Sequence, residues 1–220
     1  MKFHIAMTTY NRADVLANSL DSLSKSVVEE PSNIYVFDDN STDPAVALVV
    51  HDFIKKTDGK FVVDFRVNPQ RLNCDPNMCQ AINKTFEVSK EPFVITIDSD
   101  VLYNRNWLDF MKKAYEEMVK NEKIASISAY DSKVHPVIGQ YNEWLNIKSS
   151  IGGLCALLRQ SAFKLFSNQY SWDWEFVRAC QAKEYLLLCS KVGLIQHIGK
   201  FGVHSTDGDM YDFSDTFVGE

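Results

Sequence analysis

The sequence predicts an α/β fold, a single domain built around a mostly parallel central sheet. Three observations carry that prediction. Short runs of β-branched and aromatic residues alternate with stretches of helical periodicity as far as residue 130. The strand-like runs end in polar or acidic loops, as parallel strands of an open α/β sheet do. The chain has 220 residues, 45% hydrophobic and 12% aromatic, which suffices for one core and would leave two cramped.

The elements follow in order. KFHIAMT, 2–8, reads as the first strand. TYNRADVLANSLDSLSKS carries Val15, Leu16, Leu20 and Leu23 at helical spacing, with Asn11 or Thr9 as its cap. IYVFDDNSTD, 34–43, is a strand running into an acidic turn, and a helix follows through Val46, Val49, Val50 and Phe53. Asp58-Gly59 marks a turn before the strand FVVDFRV, 61–67. Residues 76–89 read as helix and 93–97 as strand. A helix from Asn106 to Asn121 shows Trp107, Phe110, Met111, Tyr115 and Met118 on one face, and IASISAY, 124–130, is a further strand. The second half is less regular, and its tail, TDGDMYDFSDTFVGE, is acidic and aromatic, either a lid or a frayed end.

Net charge is −6, and no block of Lys or Arg suggests a nucleic-acid or membrane footprint. The five cysteines form no CxxC, which argues against a disulfide scaffold or zinc cage and for buried reduced thiols. The N-terminus lacks a signal-peptide apolar core, and no apolar run is long enough to span a bilayer. These features predict a cytoplasmic protein without an integral membrane segment.

The notable polar residues fall after the strands: Thr8-Thr9-Tyr10-Asn11-Arg12, then Asp38-Asp39-Asn40-Ser41, then Asp98-Ser99-Asp100. On an extended chain residues i and i+2 point the same way, so Asp98 and Asp100 can address one object. Hard divalent cations prefer such carboxylate oxygens; the alternative is a capped turn. WDWEF offers Asp173 and Glu175 among Trp172, Trp174 and Phe176. An acid partly desolvated by aromatic rings suits a general base, although acids also suit a helix N-terminus. Gly152-Gly153 leaves no side chain to obstruct a close approach, or is a plain turn. His197 and His204, with Lys200 between them, offer a further ligand, whereas His4, His51 and His135 lack such context.

Four blocks together resemble the GT-A fold glycosyltransferases of family 2. They are MTTYNR, VFDDNSTD in the DDxSxD pattern, TIDSD as a DXD motif, and SSIGGLCALLRQSAF followed by WDWEF, spanning about residues 3–176. The resemblance implies a Rossmann-like GT-A domain, with 1–103 as the nucleotide-binding half, 104–205 as the acceptor and catalytic half, and 206–220 as lid or tail. It implies Mn²⁺ or Mg²⁺ held directly by Asp100, with Asp98 at the ribose or the metal's water shell, and His197 or His204 as a further contact. Asp39, Thr9 and Tyr10 would line the base and ribose; Arg12, Arg71 and Lys200 would reach base or phosphates. Asp173, slightly favoured over Glu175, would be the base, and Gly152, Gly153, Trp172 and Trp174 would meet sugar or acceptor. The implied reaction is an inverting displacement from a nucleotide-sugar donor, a UDP-sugar foremost, to a hydroxyl of a glycan, small molecule or hydroxymethylated DNA base. The rival readings are a nucleotidyltransferase, for which the early loop lacks a basic Gly-rich stretch, and a non-catalytic nucleotide- or sugar-binding module.

Overall fold

β1 (His4–Thr9) is an interior strand of the sheet and is buried along almost its whole length. Its residues need no polar face because neighbouring strands and helices cover both sides. The computed structural model describes residues 1–166, 171–200 and 212–219. After β1 come α1 (Ala13–Ser24), β2 (Ser32–Asp38), α2 (Ala45–Lys56), β3 (Phe61–Val67), α3 (Cys74–Ser89) and β4 (Phe93–Asp98). Then follow β5 (Val101–Tyr103), α4 (Trp107–Lys120), β6 (Ile124–Ser128), β7 (Val137–Gln140), β8 (Leu145–Lys148) and β9 (Ala156–Arg159). α5 (Gln160–Phe163), α6 (Trp172–Ala182), β10 (Leu186–Ser190) and β11 (Ile195–His197) complete the described elements.

The main sheet has the order β3-β2-β1-β4-β9-β6-β10-β8-β7. β3, β2, β1 and β4 pair in parallel, as do β6 and β10. β9 enters antiparallel between β4 and β6, and β8 runs antiparallel to β10 and β7. Two strands of the sheet, β8 and β9, therefore oppose the common direction, and both belong to the half whose elements the sequence left undefined. One core cluster joins α1, α2 and α4 to the sheet; another, around Met78, Ile82, Phe163 and Phe176, joins α3, α5 and α6. α4 buries Trp107, Leu108, Phe110, Met111, Ala114 and Met118, the face its periodicity announces.

Two local expectations need correction. No side chain caps α1: Arg12 occupies the cap position in the left-handed region at φ 57°. Asn11 Oδ1 instead accepts the main-chain N–H of Thr42 at 2.9 Å and of Asp43 at 3.1 Å, tying the loop after β1 to the loop after β2. Thr9 Oγ1 is buried without a hydrogen-bond partner among the described residues. Four cysteines are buried, but Cys74, opening α3, is exposed.

Candidate active site

The register of three strands assembles the site. Thr9 pairs with Asp38 and Thr8 with Asp98, so β2, β1 and β4 end side by side. Strand order reverses between β1 and β4, the place where ligands of open α/β sheets collect. Asn11, Arg12, Asn40, Asn73, Cys155 and Ser171 all hold positive φ in the loops before or after these and the adjoining elements. Such strain in residues with a Cβ gathers where the surrounding structure enforces a particular shape.

β5 begins directly after the acidic pair and zips antiparallel onto β11, with His197 opposite Val101. The ladder continues one step: Ile198 N–H donates to the Asp100 carbonyl at 2.8 Å. This pairing sets His197 Nε2 3.5 Å from Asp100 Oδ2. Arg12 Nη1 lies 3.1 Å from the same oxygen. Gly199 passes between them, and a Cβ there would overlap the Asp100 carboxylate and the His197 ring. Burial pushes the Asp100 carboxyl up, but His197 and Arg12 outweigh it and hold it below the usual range. Burial likewise lowers His197, yet Asp100, the Asp212 carbonyl and Asp98 together carry it above the ordinary histidine value. Asp98 forms no ion pair within 4 Å among the described residues. Burial, then the charges of Asp100 and Asp173, push it up to about 8 despite His197.

Asp173 and Glu175 separate cleanly. Asp173 acts electrostatically on Asp98, and Trp172 N–H meets Asp75 Oδ1 at 3.4 Å, which brings the start of α6 to the start of α3. Glu175 is bound to Arg178 at 2.5 Å, one turn along the helix. Although Cys74 is exposed as a residue, desolvation of its thiol and then the charges of Asp98, Asp75, Asp100 and Asp173 push it up to about 12. The two tryptophans also part. Trp172 is buried in the core against Phe163, so it lies beneath the site and is not a surface for sugar stacking. Trp174 is 44% exposed. Gly153 is indispensable to Trp172: a Cβ there would lie 3.2 Å from the indole Cε2 and closer still to Cζ2. The close approach required of this glycine is thus made by Trp172.

On the nucleotide side, Arg71 stacks on Tyr10 with its guanidinium carbon 4.2 Å from the ring centroid. Asp39, expected to face base or ribose, is turned inward and 2% exposed. Its oxygens accept the main-chain N–H groups of Leu72 at 2.7 Å and Asn73 at 2.8 Å, and the Asn68 amide at 3.3 Å. Asp39 therefore holds the loop that carries Arg71. Thr9 is buried as well, which leaves Tyr10 as the half-buried member of that pair. Lys200 is exposed beside Gly199. His204 lies outside the described residues.

A sequence model of the family described as Glycosyl transferase family 2 matches residues 4–166. The chain belongs to glycosyl transferase family 2. No curated protein matches the chain. Among solved structures, S. aureus TarS superposes with a TM-score of 0.60 at 15% identity, over 89% of this chain and 36% of that one. The mannosyltransferase PcManGT from Pyrobaculum calidifontis, in complex with GDP-Man and Mn²⁺, gives 0.60 at 14% identity, over 85% and 54%. GalNAc-T7 with UDP, GalNAc and Mn²⁺ gives 0.59 at 11% identity, over 86% and 42%. These likenesses show a GT-A fold. The chain spans about a third to just over half of the length of these structures.

In this family 2 member the matched region stops short of α6 and β11, so the placement of Asp173 and His197 rests on the tertiary structure. No three acidic, histidine or cysteine side chains form a metal cluster among the described residues. Asp100 and His197 nonetheless converge, with Asp98 in the same field, and this donor set fits a cation of the Mg²⁺ or Mn²⁺ type. Such ions take one or two carboxylates and complete their shell with substrate phosphates and water. Sequence reasoning missed His135, which is buried, bonded through Nδ1 to Ser150 Oγ at 2.9 Å, and 5.8 Å from the Trp174 ring centroid. A Cβ on Gly152 would lie 3.0 Å from His135 Nε2. It also missed Lys148, 4% exposed, whose Nζ meets Asp131 Oδ1 at 2.6 Å and the carbonyls of Ser132 at 3.0 Å and His135 at 2.7 Å. Neither residue sits in a motif; only the β7–β8 hairpin brings them together. No helix among the described residues is long and apolar enough to cross a membrane.

Proposed function

We propose that this chain is a divalent-metal-dependent, inverting glycosyltransferase that moves a sugar from a nucleoside diphosphate sugar, a UDP-sugar foremost, to an acceptor hydroxyl. The observation that carries the reading is the meeting of Asp100 and His197 at the strand-order switch point. Family membership supports the reaction class. PcManGT with GDP-Man and Mn²⁺, and GalNAc-T7 with UDP and Mn²⁺, support the donor and ion classes.

Each residue then has a task. Asp100 and His197, with Asp98, would hold the cation, which would supply charge neutralisation for the departing diphosphate. Tyr10 and Arg71 offer a flat face to the base. Arg12 exchanges part of its contact with Asp100 for the phosphates, and Lys200 stands at the same mouth. Asp173 accepts the acceptor's proton as its oxygen attacks the anomeric carbon opposite the leaving diphosphate. Trp174 gives the acceptor an apolar face. Glu175, engaged with Arg178, is not the base.

Calorimetry with a panel of nucleoside diphosphates, with and without Mn²⁺, tests this directly. One nucleotide should bind only with the metal, and Asp100→Ala should abolish that binding. Asp173→Asn should keep binding while transfer falls roughly 10²–10⁴-fold, the usual weight of a general base. No nucleotide binding under any condition would overturn the reading.

A further inference from the structure

His197 Nδ1 lies 3.0 Å from the main-chain carbonyl of Asp212. A carbonyl only accepts, so Nδ1 carries a hydrogen, and Nε2 is the nitrogen that faces Asp100. That carbonyl is itself anchored by the Asp212 side chain. Ser132 Oγ donates to Asp212 Oδ1, and Asp212 Oδ2 stands 3.9 Å from His135 Nε2. Both partners are buried, and Lys148 clamps the carbonyls of both. Residues 212–219 are tied to β11, to Gly193 just before it and to Asp131 in the loop after β6. Ser214 and Gln196 exchange two hydrogen bonds of 2.9 and 3.0 Å, Val218 N–H donates to the Gly193 carbonyl at 3.0 Å, and Thr216 Oγ1 donates to Asp131 Oδ2 at 3.0 Å. Asp212 thus joins the histidine beside Asp100 to the buried Ser132–His135–Lys148 group near Trp174.

We propose that Asp212 is a positioning residue: its carbonyl fixes the protonation and aim of His197 Nδ1, and its carboxylate anchors that carbonyl to Ser132, beside His135. The proposal rests on the metal reading of Asp100 and His197. Residues that orient a ligating histidine through its second nitrogen commonly change metal affinity 10–100-fold. Here the side chain acts one step further back, so the lower end applies.

Two readouts test it. Titration calorimetry of Mn²⁺ into wild type, Asp212→Ala, Asp212→Asn and Ser132→Ala measures affinity. Histidine ¹⁵N NMR of the metal-free proteins, at a pH where the imidazole is neutral, reports the His197 tautomer. Asp212→Ala should weaken Mn²⁺ about 10-fold and shift His197 away from the Nδ1–H tautomer. Ser132→Ala should do the same to a lesser degree. Lys133→Ala, which removes only an exposed contact to Asp215, should do neither. If Asp212→Ala does not fold, Asp212→Asn and Ser132→Ala decide. Folded variants that keep the Nδ1–H tautomer and bind Mn²⁺ within twofold of a binding wild type overturn the role of Asp212 alone. A wild type that takes up no Mn²⁺ overturns the metal reading and this role together.

Discussion

Replacing Asp39 with Asn separates two roles a buried acid at this position can have. In the structure both carboxylate oxygens are committed inward: Oδ1 accepts from Leu72 N–H and the Asn68 amide, and Oδ2 accepts from Asn73 N–H. Asn keeps one acceptor and turns an NH₂ group toward a second N–H. Two donors then face each other in a site that is 2% exposed. Leaving a buried donor unsatisfied costs about 1–3 kcal/mol, and losing the charge from the surviving bonds adds to it. The sum is about 2–4 kcal/mol. For a chain of this size each kcal/mol moves Tm by about 2–4 °C, so Asp39→Asn should melt roughly 4–16 °C below wild type. The 68–73 loop should loosen with it, and Arg71 should lose its stack on Tyr10, so nucleotide affinity should fall as a consequence. Scanning calorimetry and nucleotide titration on the same preparation check both. A variant melting within about 1 °C of wild type while losing nucleotide affinity would refute the anchoring argument and return Asp39 to the ligand.

Other perturbations follow the same reasoning. Lys148→Met strands the Asp131 charge and two carbonyls in the interior, and urea unfolding should show a loss of about 3–5 kcal/mol; a loss under about 1 kcal/mol would contradict the clamp. Gly153→Ala forces Trp172 to move, costing about 1–3 kcal/mol, and because Trp172 opens α6 the shift should reach Asp173 and lower kcat more than nucleotide affinity. His135 gives a pH signature. Burial and Lys148 lower its pKa against the opposing pull of Asp212, with Ser150 and Trp174 completing its surroundings. Its stabilising contribution is present above the ordinary histidine value of 6.5 and is lost as pH falls through the folded value, because the unfolded chain gains the proton first. Urea unfolding at pH 8 and 5.5 should show a smaller acid-side loss for His135→Gln than for wild type; equal losses would exclude His135 as the source.

The sequence by itself determined the first half of the fold and the acidic edge of the site. FVVDFRV is a strand over its predicted span, and the helix carrying Trp107 to Met118 lies within one residue of its expected bounds. Period and β-branching are local properties, and those segments obey them because their neighbours on the sheet ask for the same pattern. The acids after β4 were legible for a related reason: a buried parallel strand must surface at its end, and two carboxylates there stand out against it. Only the tertiary structure decided which of the remaining residues join them. Ser132, His135 and Lys148 come from the loop and hairpin strands around β7, and Asp212 from the tail. His197 reaches Asp100 because β11 pairs with β5, a register that two three-residue strands do not announce in sequence. Asp39 reads as a ligand contact until Leu72 and Asn73 are seen to fill its oxygens. Trp172 reads as a sugar platform until Gly153 is seen beneath it. In each case a contact between positions distant in the chain overrode what a short motif suggested, because hydrogen-bond satisfaction and close packing are settled by whichever group arrives in space and carry no trace in local spacing.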